Sequence, residues 1–154
     1  MIVLTLDADA RGRPVIDLFL APSAPRIAAM EALGLTPTAA VGVRALIDTG
    51  ASRSNVQRSV LDQLGLEPVG EELVFTASTG RTPKEVYAYT VQIFLAGVPG
   101  GRIDADLRVV EAEDFHGLGV EMLLGADVLG RCLLFLNGPE GRFTLAFSPT
   151  ASPP

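Results

Sequence analysis

Apolar residues in this chain come in short runs with a period of two, and glycine, proline or a polar turn interrupts them every few residues. That spacing favours strands over helices. Ile2–Leu6, Val15–Leu20, Val41–Ile47, Glu72–Thr76, Glu85–Leu95, Ile103–Val110, Met122–Leu124, Leu133–Leu136 and Arg142–Phe147 read as strands. The turn Asp9–Arg13, with Gly12, is expected to close the first two into a hairpin, and NGPEG to close the last two. Helical spacing is confined to short stretches. Ala24–Leu33 sets Ile27, Met30 and Leu33 on one face, with Gly34 at its C-terminal stop. Asn55–Leu64 has Val56, Val60, Leu61 and Leu64 as an apolar stripe, Gly65 at its end, and Ser54 with Gln57 in a capping-box pattern. Ala126–Arg131 allows one more helical turn. The expected fold class is all-β, with two or three short helices. Residues 1–147 are expected to form one domain, followed by a disordered tail at 148–154.

Composition removes several classes of function. At 154 residues and 48% hydrophobic, the chain can bury a core and retains an apolar surplus that hints at a second buried surface, such as a subunit interface. A net charge of -6 gives no basic footprint for nucleic acid. The single cysteine, Cys132, forms no intrachain disulfide and reads as a small buried hydrophobe within CLLFL. One histidine, His116, supplies neither a zinc set nor, without G-x-S-x-G, a serine triad. Glu111, Glu113 and Asp114 lack the alternating ligands and central glycine of a calcium loop, and read as a solvated loop. No metal and no cofactor is expected. MIVLTLDADARGRP is unlike a signal peptide, and no apolar run nears the ~18 residues of a membrane span. The expected location is the cytoplasm, with no membrane or nucleic-acid partner.

The stretch richest in chemistry is ALIDTGAS, Ala45–Ser52. A buried strand runs straight into Asp48, Thr49 and Gly50. An ionised acid at the end of an apolar strand needs hydrogen-bond donors or must hold a proton. Gly50 permits a tight turn that faces backbone amides toward the carboxylate. An Asx-type turn closing a strand is the plainer reading of the same residues. A second element, MLLGADVL at Met122–Leu129, follows downstream.

DTGAS paired with LLGADVL resembles the retroviral-type aspartic proteases, or retropepsins, and their bacterial relatives. In that family an apolar-apolar-Gly strand threads past the DTG loop, and Leu123, Leu124 and Gly125 match it. The intervening LVFTASTGRTPKEVYAYTV is similar to the family's flap hairpin, with its tip at Ala77–Arg81. The resemblance spans about residues 40–147 and implies a closed acid-protease β-barrel, one lobe per chain. The excess over a minimal retropepsin lies mostly before Val41.

Carboxylate-driven peptide hydrolysis needs one group to take a proton from water and another to give one to the carbonyl oxygen. One DTG per chain therefore implies a homodimer, with two Asp48 side chains meeting on the two-fold axis. Two carboxylates ~3 Å apart at an effective dielectric of ~20 repel by roughly 5 kcal/mol, so the pair shares one proton, which mildly acidic pH favours. The resemblance thus implies a homodimeric aspartic endopeptidase acting on peptides or proteins. Asp48, Thr49 and Gly50 are the catalytic candidates. Thr49 is expected to bond its dimer mate's backbone. Ala51, Ser52, Ala77, Ser78, Thr79 and Gly80 are substrate-side candidates, with Ser52 the more readily a turn cap. Asp127 reads as a cap or as an ion-pair partner of Arg131 or Arg53, and Tyr87 and Tyr89 as packing residues. The alternatives are a non-catalytic peptide-binding or dimerisation domain of the same fold, or an unrelated ligand-binding β-barrel.

Overall fold

The computed structural model describes residues 1–76 and 79–149. Ala77 and Ser78 of the expected flap tip, and 150–154 of the expected tail, lie outside the described residues. In chain order the elements are β1 (Ile2–Asp7), β2 (Val15–Pro22), α1 (Ala24–Ala32), β3 (Val41–Ile47), β4 (Asn55–Gln57), α2 (Arg58–Gln63), β5 (Gly70–Val74), β6 (Lys84–Leu95), β7 (Arg102–Ala112), β8 (Met122–Leu124), α3 (Ala126–Leu129), β9 (Cys132–Asn137) and β10 (Arg142–Phe147). The chain is mostly β, with three short helices among the described residues.

Seven strands form one sheet in the order β2-β3-β8-β4-β7-β6-β5, and an added β2–β6 pairing closes six of them into a barrel. Closure leaves those six without free edges. Two joints of the ring are parallel, β3 with β8 and β4 with β7. Strand β5 pairs only with β6, outside the ring. A second sheet, β1-β10-β9, is antiparallel throughout. Its inner residues Phe143, Leu145 and Phe147 join Leu18, Leu20, Val56, Met122 and Leu124 in one core, so period-two alternation in both sheets feeds a single interior.

Two local expectations change. The first two strands do not form a hairpin. β1 pairs with β10, from Ile2 opposite Phe147 to Asp7 opposite Arg142, whereas β2 pairs with β3 and β6. Alternation identifies a strand but not its partner. The turn between them redirects the chain from one sheet to the other. It is tied by the Asp9 carboxylate, which accepts the backbone N–H groups of Arg11 and Arg13 at 3.0 and 2.9 Å, and Arg13 Nε and Nη2 at 2.9 and 2.6 Å. The Arg13 side chain is the main reason the Asp9 carboxyl is held down at about 2.

The stretch expected as one helix over Asn55–Leu64 is a strand and then a helix. Asn55–Gln57 bridges β8 and β7, with Asn55 opposite both Leu123 and Val110. Closing the barrel needs a strand in that gap, and pairing overrides local helical spacing. Val56, Val60, Leu61 and Leu64 are all buried as expected, but Val56 is buried as a strand residue. The capping box is absent: α2 starts at Arg58, and its N-cap Gln57 makes no side-chain capping bond.

Helix α1 ends as expected, with Gly34 at φ 71°. No α1 residue is fully buried, and Leu33 is 77% exposed. Cys132 packs half-buried against the core, and burial pushes its thiol pKa up, as suits a structural cysteine. Tyr89 is buried as a packing residue, whereas Tyr87 is exposed. No helix among the described residues is long and apolar enough to cross a membrane.

The Asp9 tie carries a pH signature. Its folded pKa lies below the ordinary 3.8, so its contribution to stability is complete above that value and is lost as pH falls toward about 2. Asp9→Asn is expected to lower the thermal midpoint at neutral pH and to flatten its decline across that acid window. Thermal melts of both proteins over the range check this.

Candidate active site

Strand β3 delivers Asp48. Its apolar residues Val43, Ala45 and Ile47 point into the core, and β8 runs parallel beside it with Ile47 opposite Leu124. The pairing continues one step further, since the Asp48 N–H donates to the Leu124 carbonyl at 3.0 Å. The chain then turns on itself. Gly50 N–H donates to Asp48 Oδ1 at 2.9 Å, and Ala51 N–H donates to the Asp48 carbonyl at 3.2 Å. A Cβ at Gly50 would sit 3.2 Å from Asp48 Oδ1, crowding the carboxylate. Asp48 is half-buried, while Thr49, Gly50 and Ser52 are exposed on the turn.

The β8–α3 turn locks this loop from below. Ala126 N–H donates to the Ala51 carbonyl at 2.8 Å. Gly125 lies so close that a Cβ would be 2.7 Å from Ala51 O and 2.8 Å from Arg53 O, so the close approach requires glycine. Ser54, wholly buried, completes the lock. Its Oγ accepts the Gly125 N–H at 3.0 Å and donates to Asp127 Oδ1 at 2.7 Å, and its own N–H donates to Asp127 Oδ2 at 2.9 Å. Asp127 also accepts the Val128 N–H at 3.0 Å.

Asp127 is therefore a cap that joins two loops. Neither arginine considered for it is its partner. Arg131 pairs with Asp104, and Arg53 reaches Glu72. Sequence reasoning missed Ser54 as a site residue because its spacing to Gln57 matched a helix cap. The usable signal was a serine and an aspartate each beside one of the two motifs. Ser52, expected to cap the turn, makes no hydrogen bond among the described residues and instead lines the cleft.

Asp48 lies on the wall of an open cleft of about 1340 Å³. Gly50, Ala51, Ser52 and Leu123 share its wall, whereas Leu124 and Gly125 are buried behind. The β5–β6 hairpin forms another side, through Leu73, Phe75 and Thr79. Near the hairpin end, Thr76 N–H donates to Thr79 Oγ1 at 2.9 Å. Thr79 and Gly80 N–H return to Thr76 O at 3.1 and 3.0 Å, with Gly80 at φ 59°. The structure thus brings Thr79 onto the same cleft as Asp48, and Gly80 into the turn beside it.

The acids of 111–114 are drawn into pairs. Glu111 accepts Tyr89 Oη at 3.4 Å and faces Arg58 Nε at 3.8 Å, Glu113 meets Lys84 at 3.4 Å, and Asp114 meets His116 at 3.0 Å. Among the described residues no three histidine, cysteine or acidic side chains converge as a metal site. The chemistry on offer is a carboxylate bonded by one backbone amide and open to a cleft.

The lock predicts a measurable cost. Ser54→Ala removes the acceptor of a buried N–H and a donor to Asp127, which is expected to lower unfolding stability by about 1–3 kcal/mol. Gly125→Ala, which drives a methyl into backbone, is expected to cost more. Urea unfolding of the two variants checks the order.

The sequence profile of the family described as gag-polyprotein putative aspartyl protease matches residues 39–131, more than half of the chain, and takes in both the Asp48 loop and the β8–α3 turn. A retropepsin-like aspartic protease from Rickettsia conorii superposes with a TM-score of 0.61 at 13% identity, over 97% of this chain and 94% of that one. The EIAV protease in complex with the inhibitor HBY-793 gives a TM-score of 0.47 at 17% identity, over 81% of this chain and 92% of that one. No curated protein sequence matches. The chain belongs to the gag-polyprotein aspartyl protease family, and its barrel with the Asp48 loop threaded past β8 is the retropepsin-like fold.

Proposed function

We propose that this chain is a homodimeric aspartic endopeptidase in which two Asp48 carboxylates, one from each copy, hold and activate the attacking water. The observation that carries the reading is Asp48 itself, hydrogen-bonded by Gly50 N–H at 2.9 Å and set on a cleft whose other side is the β5–β6 hairpin. One carboxylate takes the proton from water as its oxygen attacks the peptide carbonyl. The other carboxyl gives its proton to the carbonyl oxygen. As the tetrahedral diol collapses, one of its hydroxyls gives its proton to the ionised carboxylate, the C–N bond breaks, and the other carboxyl passes the proton it took from water to the leaving amine. The two Asp48 groups restore their single shared proton, and no metal or cofactor enters.

Thr49, exposed beside Asp48, is the residue we assign to the mate's backbone. The hairpin end, Ala77 and Ser78 together with Thr79 and Gly80, is the segment we assign to closing over the bound peptide. Leu73, Phe75, Leu118 and Leu123 on the cleft favour apolar residues at the scissile bond.

A second copy is supported by the outer face of the β1-β10-β9 sheet. Val3 and Leu133 flank Ala146 in register, and Phe135 is the next outward residue along β9. Val3, Leu133 and Phe135 are 61, 68 and 64% exposed, an apolar patch that suits a subunit contact. A free, half-buried Cys132 fits a reducing compartment and a cytoplasmic location.

Three outcomes test this reading. A peptide-library digest is expected to yield cleavage that Asp48→Asn reduces by about 10²–10⁴-fold or more. Peptide binding without cleavage by the intact protein would favour the non-catalytic alternative. Leu133→Arg with Phe135→Arg is expected to give a folded monomer without activity, read by sedimentation and circular dichroism. The profile of kcat/KM against pH is expected to be bell-shaped, because only the singly protonated pair has both a base and an acid.

A further inference from the structure

Two guanidinium groups converge on one carboxylate beside the cleft. Glu72 Oε1 accepts Arg108 Nε at 2.9 Å and Arg53 Nη2 at 3.2 Å. The three residues come from three places: Glu72 from β5, Arg108 from β7, and Arg53 from the loop that follows Asp48. The Glu72 side chain is 17% exposed and that of Arg53 is 46% exposed. Arg108 also lies over Gly70, where a Cβ would come 2.6 Å from its Nη2. Arg108 and Glu72 are thus the inner, shorter pair and offset each other. Arg53 is the outer cation, and its charge is left over.

The other cations on the cleft are each matched. Arg58 faces Glu111 and Lys84 meets Glu113, while among the described lining residues the acids without a cationic partner are Asp48 and Glu85, the latter leaning on another acid, Glu71. The Arg53 guanidinium has five N–H donors, and Glu72 takes the one hydrogen bond that this side chain makes among the described residues. Its main chain is fixed, because its carbonyl accepts Asn55 Nδ2 at 2.7 Å and packs against Gly125. Its side chain spans from the Asp48 loop to the strand leading into the hairpin end, and it lines the same cleft. A peptide lying between loop and hairpin passes this guanidinium.

We propose that Arg53 determines specificity by holding an acidic side chain, Asp or Glu, of the peptide close to the scissile bond. The proposal rests on the endopeptidase reading and deepens it. The row Arg108, Glu72, Arg53 alternates in sign, and a substrate carboxylate extends the alternation with a planar, two-pronged acceptor matched to a guanidinium. Apolar residues at the bond and an acid near it together define the substrate class.

The test uses paired peptides with one apolar–apolar bond that differ only by Glu or Gln at each flanking position in turn. For the wild-type protein the expected result is one position at which Glu is preferred by about tenfold in kcat/KM, the equivalent of one good charge-assisted bond. That ratio is expected to shrink as salt is added. Arg53→Gln is expected to bring the ratio near one, Arg53→Glu to turn it in favour of Gln at that position, and Arg58→Gln to preserve it. If no position prefers an acid, or if Arg53→Gln slows both peptides of a pair alike, Arg53 is only a tie between loop and hairpin and the proposal is overturned while the endopeptidase reading stands. If the wild-type protein cleaves neither member of any pair, both fall together.

Discussion

The site depends on a contact too close for a side chain. Gly125 lies against the backbone of Ala51 and Arg53, and the Ser54 hydroxyl fills the notch beside it by accepting the Gly125 N–H and donating to Asp127. Two segments far apart in sequence are thereby held as one unit. The position of Asp48 follows from that unit, because its N–H bonds to Leu124, the residue just before Gly125. The Asp48 carboxylate therefore stands on a backbone that has little freedom left to lose.

The barrel serves the same end. Strand β4 is only three residues long, yet it bridges β7 and β8 and completes the ring. It follows directly on Ser54, so the lock and the closing joint are consecutive in the chain. A disturbance at Ser54 therefore reaches the barrel seam as well as the Asp48 loop.

Much of this was legible in the sequence, for physical reasons. Alternation revealed the strands because a half-buried strand must alternate, and DTGAS with LLGADVL marked the candidate site through a family resemblance, Gly125 answering a close approach that leaves no room for a side chain. What stayed hidden was pairing. Ile2–Leu6 looked like half of a hairpin because its true partner, Arg142–Phe147, carries no local sign of the match. Asn55–Gln57 looked helical because its neighbours do, and only barrel closure makes it a strand. Ser54 and Asp127 were each visible as polar residues near a motif, but their mutual bond spans distant parts of the chain. The charge row of Arg108, Glu72 and Arg53 is a tertiary product of the same kind.

The pairing of β1 with β10 sets an order of events. Every strand of the barrel lies between β2 and β8, so the ring contains all its members before the last hairpin is reached. Strand β1 emerges first and yet finds its partner only when the final strand exists. Contacts between such distant segments carry the largest loop-closure cost and are slow to form. The sheet with the exposed apolar patch is thus topologically the late part of the fold, and the face it offers a neighbour exists only once strands about 140 residues apart in the chain have met.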